Sequence, residues 1–212
     1  MADSNWERFA PLTGVVFVVL LVAGVVVINN YDYLPPAAEI ESFYEDSSTA
    51  ISVGAFLALL SVFFFLWFLG SVRSTLRVTE GGTGRLSAVA FGGGVAAAAA
   101  MIVGYSATLA AAQRAGTTGG IGADAATSLH DLASVLVGNT APIAFAVLVA
   151  ATALVALRTG VFPAWLAWVS VVLAVGLLTP LNYIFMGFAL LWVLIVSILL
   201  FRQNRLNGGS GG

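Results

Sequence analysis

Few side chains in this sequence can do acid-base, metal or nucleophilic chemistry, so their positions matter as much as their types. The 212-residue chain has a single histidine, His130, and no cysteine. Asp131 follows the histidine directly and Asp124 lies shortly before it. An imidazole with two carboxylates could form an outer acid-base or metal site, because histidine titrates near neutrality and is a common metal ligand. One imidazole cannot supply a bis-histidine haem, and without thiolates a tetrahedral zinc site would lean on carboxylates. The same residues also suit a polar cap, with Ser128 or Asp131 in a first helical turn, and this structural role is the favoured expectation. No metal and no cofactor is expected. Ser61, Ser106, Ser170 and Ser197 have no histidine at a depth that would activate them, and no nucleophile elbow, HExxH, P-loop or dinucleotide fingerprint occurs.

What remains is uncharged polarity inside apolar sequence. Tyr105, Ser106, Asn139, Thr140, Thr179, Asn182 and Tyr183 all fall toward one end of the apolar stretches. Of these, Tyr105, Ser106, Asn139, Thr140, Asn182 and Tyr183 are the candidates for lining a ligand cavity or a pore. Interhelical hydrogen bonds or turn chemistry would explain each one singly.

The elements that position these residues follow from composition. The chain is 60% hydrophobic and 8% charged, against roughly 25% charged in soluble domains. An ordinary soluble enzyme is thereby excluded, and a net charge of −2 with no basic stripe excludes a nucleic-acid binder. Crossing about 30 Å of hydrocarbon takes about 20 apolar residues with their backbone groups paired internally. The sequence predicts an all-α, six-span polytopic transmembrane helix bundle, with spans at about 11–28, 50–72, 86–112, 132–157, 163–178 and 183–201. Residues 1–206 form one domain, and Asn207 to Gly212 has the composition of a flexible linker. Met1 to Ala10 carries Asp3, Glu7 and Arg8 and lacks a signal peptide's positive n-region, so the first span is expected to remain uncleaved.

With both termini cytoplasmic, Arg8, Arg73, Arg77, Arg85, Arg158, Arg202 and Arg205 lie inside and only Arg114 lies outside, as the positive-inside rule requires. No span contains Asp, Glu, Lys, Arg or His. Proton-coupled transport through buried carboxylates is therefore not expected, because such transporters keep ionisable groups in the bilayer, whereas a Na+ site of backbone carbonyls and hydroxyls would survive this argument.

The loops and helix faces carry further expectations. In the acidic outer loop, Ile40, Phe43 and Tyr44 recur at helical spacing after Pro35-Pro36, which predicts a short amphipathic helix on the outer interface. Ser47, Ser48 and Thr49 would cap the span that follows. A helix from Thr127 to Arg158 would be about 48 Å long, and Gly138, Asn139, Thr140 and Pro142 mark where it should break or kink. Ala88, Gly92, Ala96, Ala100, Gly104, Thr108 and Ala112 recur at intervals of four, a small-residue ridge suited to close packing within the bundle or, as the alternative, to a dimer seam. Phe63, Phe64, Phe65, Trp67 and Phe68 ring the second span and suit lipid contact or one wall of an apolar pocket.

His130-Asp131 ahead of an apolar span, the run from Ala156 to Ala167 (ALRTGVFPAWLA) and the closing run from Leu191 to Arg202 (LWVLIVSILLFR) resemble a group of bacterial six-span membrane proteins classed as a domain of unknown function. The resemblance implies the same topology and a place in the bacterial inner membrane, and it implies no activity. Independently of it, Gly160 can end the fourth helix, Pro163 can start the fifth, and Trp165 and Trp168 fall at interface depth.

The leading expectation is a non-enzymatic membrane protein that binds an apolar or lipid-like small molecule, or a membrane partner, within or at the outer side of its bundle. Its partners would be the lipid bilayer, an apolar ligand, and a second copy or another membrane protein, with no nucleic acid. The alternatives are an oligomeric channel for a small neutral solute and an enzyme built on His130 with Asp124 or Asp131.

Overall fold

The computed structural model describes residues 9–28 and 36–208. Arg8, the part of the acidic loop with Tyr31, Asp32 and Tyr33, and Gly209 to Gly212 lie outside the described residues. Everything regular among the described residues is helical, which makes the chain an all-α bundle of apolar helices.

Helix α1, Thr13–Ile28, is entered by a single 3-10 turn, Ala10–Leu12. Pro11 suits that turn because it has no N–H to leave unpaired, and Thr13 Oγ1 donates to the Ala10 carbonyl at 2.6 Å. Helix α2, Ala37–Glu80, has 44 residues and bends at Ser47 (φ −127°, ψ 20°). The expected interfacial helix and the second span are therefore one bent helix: Pro36 is its N-cap, and Ser47 and Ser48 mark a bend instead of a start. Ile40 and Tyr44 are fully buried, so this segment packs its apolar face against the bundle.

Helix α3, Arg85–Ala115, begins after a glycine turn in which Gly81, Gly82 and Gly84 all have positive φ. Glu80 completes the turn, its carboxylate accepting from the N–H groups of Leu86 (2.8 Å) and Ser87 (2.9 Å). Helix α4, Ala123–Val135, runs through a π-helical turn, Leu136–Thr140, into α5, Ala141–Thr159. The turn falls where a break was expected. Pro142 has no N–H to offer the Gly138 carbonyl one turn back, and within the turn Thr140 Oγ1 donates to the Val135 carbonyl at 3.3 Å. Gly160 (φ +70°) closes α5 and Pro163 caps α6, Ala164–Leu177, as the sequence predicts. Helix α7, Asn182–Gly208, continues two residues into the stretch read as a linker.

Five helical stretches are long and apolar enough to cross a membrane, and α6, with 14 residues, is shorter. Helix α2 packs along both α1 and α3, α5 packs between α3 and α6, and α7 closes against α1 and α6. One end of the bundle gathers the arginine-bearing turns. Arg73 sits 5.0 Å over the Phe91 ring, Gln203 Nε2 donates to the Val161 carbonyl at 2.9 Å, and the Phe9 and Phe201 rings are 6.0 Å apart. We call this the arginine end and its opposite the far end.

Two cores fill the bundle. In the larger, Phe65 stacks on Phe145 (5.8 Å) and meets Phe17 (4.7 Å), and Phe145 meets Trp192 edge-on (6.1 Å), so α1, α2, α5 and α7 share one aromatic layer. Trp192 Nε1 donates to Ser170 Oγ at 2.8 Å, and Ser170 Oγ donates to the Leu166 carbonyl at 2.7 Å. The ring around the second span is thus divided: Phe65 and Phe68 are buried, while Phe63 and Trp67 are exposed. The smaller core lies at the far end, where Ile40, Tyr44 and Ile51 pack on Ala111, Ala112, Ile121 and Ala126.

The small-residue ridge is only half correct. Ala100, Gly104, Thr108 and Ala112 are buried, but Ala88, Gly92 and Ala96 are exposed. Steps of four advance about 400° around a helix of 3.6 residues per turn, so the row drifts off any fixed face. The row that packs mixes steps of three and four through Ala90, Gly94, Ala97, Met101, Gly104, Thr108 and Ala111.

Candidate functional site

A cavity of about 920 Å³ opens toward the far end between α1, α3, the π-helical turn and the turn joining α6 to α7. Each wall has a local cause. Helix α1 contributes Val25, Val26 and Ile28 from its last turn, all apolar because the helix has no polar residue to place there. Helix α3 contributes Tyr105 and Thr108, adjacent at i and i+3 on its buried face. Helix α4 and the π-helical turn contribute Ala133, Ser134, Val137, Gly138 and Asn139. The widened backbone lets Gly138 and Asn139 face the cavity, a use to which π-bulges are often put. Gly104 allows the turn to come this close, since a Cβ there would stand 2.6 Å from Val137 Cγ2. The α6–α7 turn supplies Pro180, Asn182 and Tyr183.

The polar atoms form a band across this space. Asn182 Nδ2 donates to Asn139 Oδ1 over a long 3.4 Å, joining α7 to the π-helical turn. Thr108 Oγ1 donates to its own helix at the Gly104 carbonyl, 3.3 Å away. Ser134 Oγ is buried and has no hydrogen-bond partner among the described residues. No residue lining the cavity is ionisable near neutral pH, so its recognition chemistry consists of hydroxyl and carboxamide groups, each able both to donate and to accept.

Four of the six residues expected to line a cavity do so: Tyr105, Asn139, Asn182 and Tyr183. Ser106 is exposed on α3, because the residue after Tyr105 is turned about 100° away from the cavity face. Thr140 is exposed and bridges the π-helical turn. Thr108 and Ser134 are the residues that sequence reasoning missed. The i, i+3 pairing of Thr108 with Tyr105 could have pointed to the first.

The outer polar residues do not assemble. His130 is buried, with its ring 6.2 Å from Tyr44 in an edge-to-face contact, while Asp131 is half-buried and Asp124 is exposed. The described residues contain no group of three or more His, Cys, Asp or Glu that could hold a metal. His130 is built into the far-end core, where it joins α4 to α2. Set against protein-family models, curated proteins and solved structures, the chain matches none.

Proposed function

We propose that the chain is a multi-pass membrane protein with six crossings and both termini cytoplasmic, and that it binds an apolar or lipid-like small molecule in the far-end cavity without catalysing a reaction on it. The cavity carries the proposal: its volume is in the range of small-molecule sites, about 300–1,000 Å³, and its wall is mostly apolar with a few convergent polar groups.

Depth supports the orientation. From Asn139 down to Arg158 the helix descends about 28 Å, and from Asn182 to Arg202 about 30 Å, each close to one hydrocarbon thickness. With the arginine end at the cytoplasmic boundary, the cavity's polar band lies at the outer boundary. The α3–α4 corner then projects beyond the membrane, which accounts for a second core there.

Conduction of a neutral solute is the other reading of the same polar residues, since such selectivity needs no fixed charge. The aromatic layer of Phe17, Phe65, Phe145 and Trp192 fills the bundle and favours binding over passage. Native mass spectrometry of gently extracted protein is the test: a retained small molecule is expected, and protein that never retains one removes the basis of the proposal. In liposomes, solute flux that falls on Asn139→Leu or Asn182→Leu would favour the channel.

A further inference from the structure

Exposure around the cavity is strongly one-sided. Tyr105, Thr108, Ala133 and Ser134 on the α3 and α4 walls are buried, Ser134 to 4%, whereas Val26 on α1 is 67% exposed and Tyr183 on α7 is 69% exposed. These two exposed residues belong to helices that touch near the arginine end, where Gly14 packs directly on Ser197 and Phe9 meets Phe201. At the far end Val25 and Val26 on one side and Tyr183 on the other line the cavity. The mouth is therefore a lateral gap between α1 and the first turn of α7.

We propose that the cavity takes an uncharged amphiphile whose headgroup carries hydroxyl or carbonyl groups, and that this molecule enters sideways from the outer leaflet through the α1–α7 gap. The inference rests on the reading of the cavity as a ligand site, and adds the ligand class and the route. Three observations carry it. The exposed mouth is formed by Val25, Val26 and Tyr183, an aliphatic and aromatic rim that suits lipid chains at the level where aromatic residues anchor in the interface. The wall opposite the mouth holds the polar groups, the Asn139–Asn182 carboxamide pair and the Thr108 hydroxyl, which can donate to or accept from a headgroup. No cationic or anionic side chain lines the cavity, so a charged headgroup would be drawn out of water with nothing to compensate it. An amphiphile lying in the gap would point its polar end at the band of Tyr105, Thr108, Asn139 and Asn182 and leave its chains beside α1.

The experiment uses the full chain in lipid nanodiscs with three photoactivatable probes sharing the same acyl chains: a diacylglycerol, the corresponding phosphatidic acid, and a chain-matched hydrocarbon without a headgroup. Labelled residues are mapped by mass spectrometry. The diacylglycerol probe is expected to label the Val25–Val26 and Tyr183 segments at least about tenfold more than the phosphatidic acid, as an uncompensated buried charge requires. Asn139→Ala should lower that labelling about fivefold, the equivalent of one buried hydrogen bond, and Thr108→Val should lower it by a similar factor. Val26→Trp should block labelling of the wall residues, whereas Val19→Trp, two turns down the same exposed face of α1, should leave it intact. Equal labelling by phosphatidic acid overturns the uncharged class, and equal labelling by the bare hydrocarbon overturns headgroup recognition, while both leave a ligand site standing. Wall labelling unchanged by Val26→Trp overturns the lateral route. No labelling of cavity residues by any probe overturns this inference together with the ligand-site reading beneath it.

Discussion

Single side chains hold this bundle together where helix ends or helix faces meet. Glu80 lies in the turn past the apolar part of α2, and its two backbone hydrogen bonds, from Leu86 first and then Ser87, hold its carboxyl below the usual carboxylate range, with a smaller contribution from Arg158. A carboxyl depressed on folding contributes stability that is fully present above its ordinary pKa and is lost as the pH falls through the folded value. The melting temperature should therefore decline below about pH 5, and Glu80→Gln should lower it at neutral pH and flatten the acid decline. An unchanged pH profile in Glu80→Gln would remove this role. Trp192 and Ser170 make the comparable contact inside the bundle. Ser170→Ala orphans the indole N–H and should cost about 1 kcal/mol, since interhelical bonds in membrane bundles average about 0.6 and an unpaired buried donor adds to that. Combined with Trp192→Phe, it should cost less than the sum of the two separate changes, a coupling measured by unfolding in a detergent titration. At this scale the sequence is partly legible. Tyr105, Asn139, Asn182 and Tyr183 stand out because they are polar within apolar runs, whereas Ser134 is hidden among Ala and Leu in a segment that reads as a polar approach. The burial of His130 depends on Tyr44, some eighty positions away, and no local pattern encodes that pairing.

Helices were legible by length and punctuation, and less so by face. Gly160, Pro163 and the Gly81–Gly84 turn end or start helices where their backbone preferences dictate. The bend at Ser47 and the ridge on α3 were not readable in the same way, because which face of a helix is buried depends on the neighbours it acquires. The π-helical turn is the element on which sequence and site converge, since Pro142 and Gly138 announce a break and the break lines the cavity. Its test follows from Pro142. Alanine there restores an N–H and removes the ring, so the turn can close toward a regular helix, which should raise stability by about 1 kcal/mol. The same change should withdraw Gly138 and Asn139 from the cavity and reduce ligand retention in native mass spectrometry. Pro142→Ala protein that is both more stable and fully competent to retain a ligand would show that the π-helical turn has no part in binding.

The whole-molecule question is whether α6 crosses the membrane. Its 14 residues rise about 21 Å, short of the roughly 30 Å of hydrocarbon, and by length alone it could be a helix that enters and returns on one side. Its connections argue for crossing. Gln203 at the end of α7 bonds to Val161 just before α6, whereas Asn182 just after α6 bonds to Asn139, about 28 Å up the neighbouring helix. The turns at each end therefore cover the distance that the helix does not, and the exposed Trp165 and Trp168 can anchor its arginine-end turn in the interface. Because the chain has no cysteine, each introduced thiol reports alone. Thr117→Cys and Leu181→Cys should react with a membrane-impermeant maleimide in intact cells, and Thr83→Cys and Thr159→Cys only after permeabilisation; all four positions are exposed. If Leu181→Cys and Thr159→Cys behave alike while Thr83 and Thr117 differ, α6 does not cross, the two termini lie on opposite sides, and the turn bearing Asn182 cannot form an outer cavity wall. If all four are reversed, the arginine end faces outward and the cavity opens to the cytoplasmic leaflet. The expected pattern, with Thr117 and Leu181 outside, is the one that puts seven of the eight arginines on the cytoplasmic side.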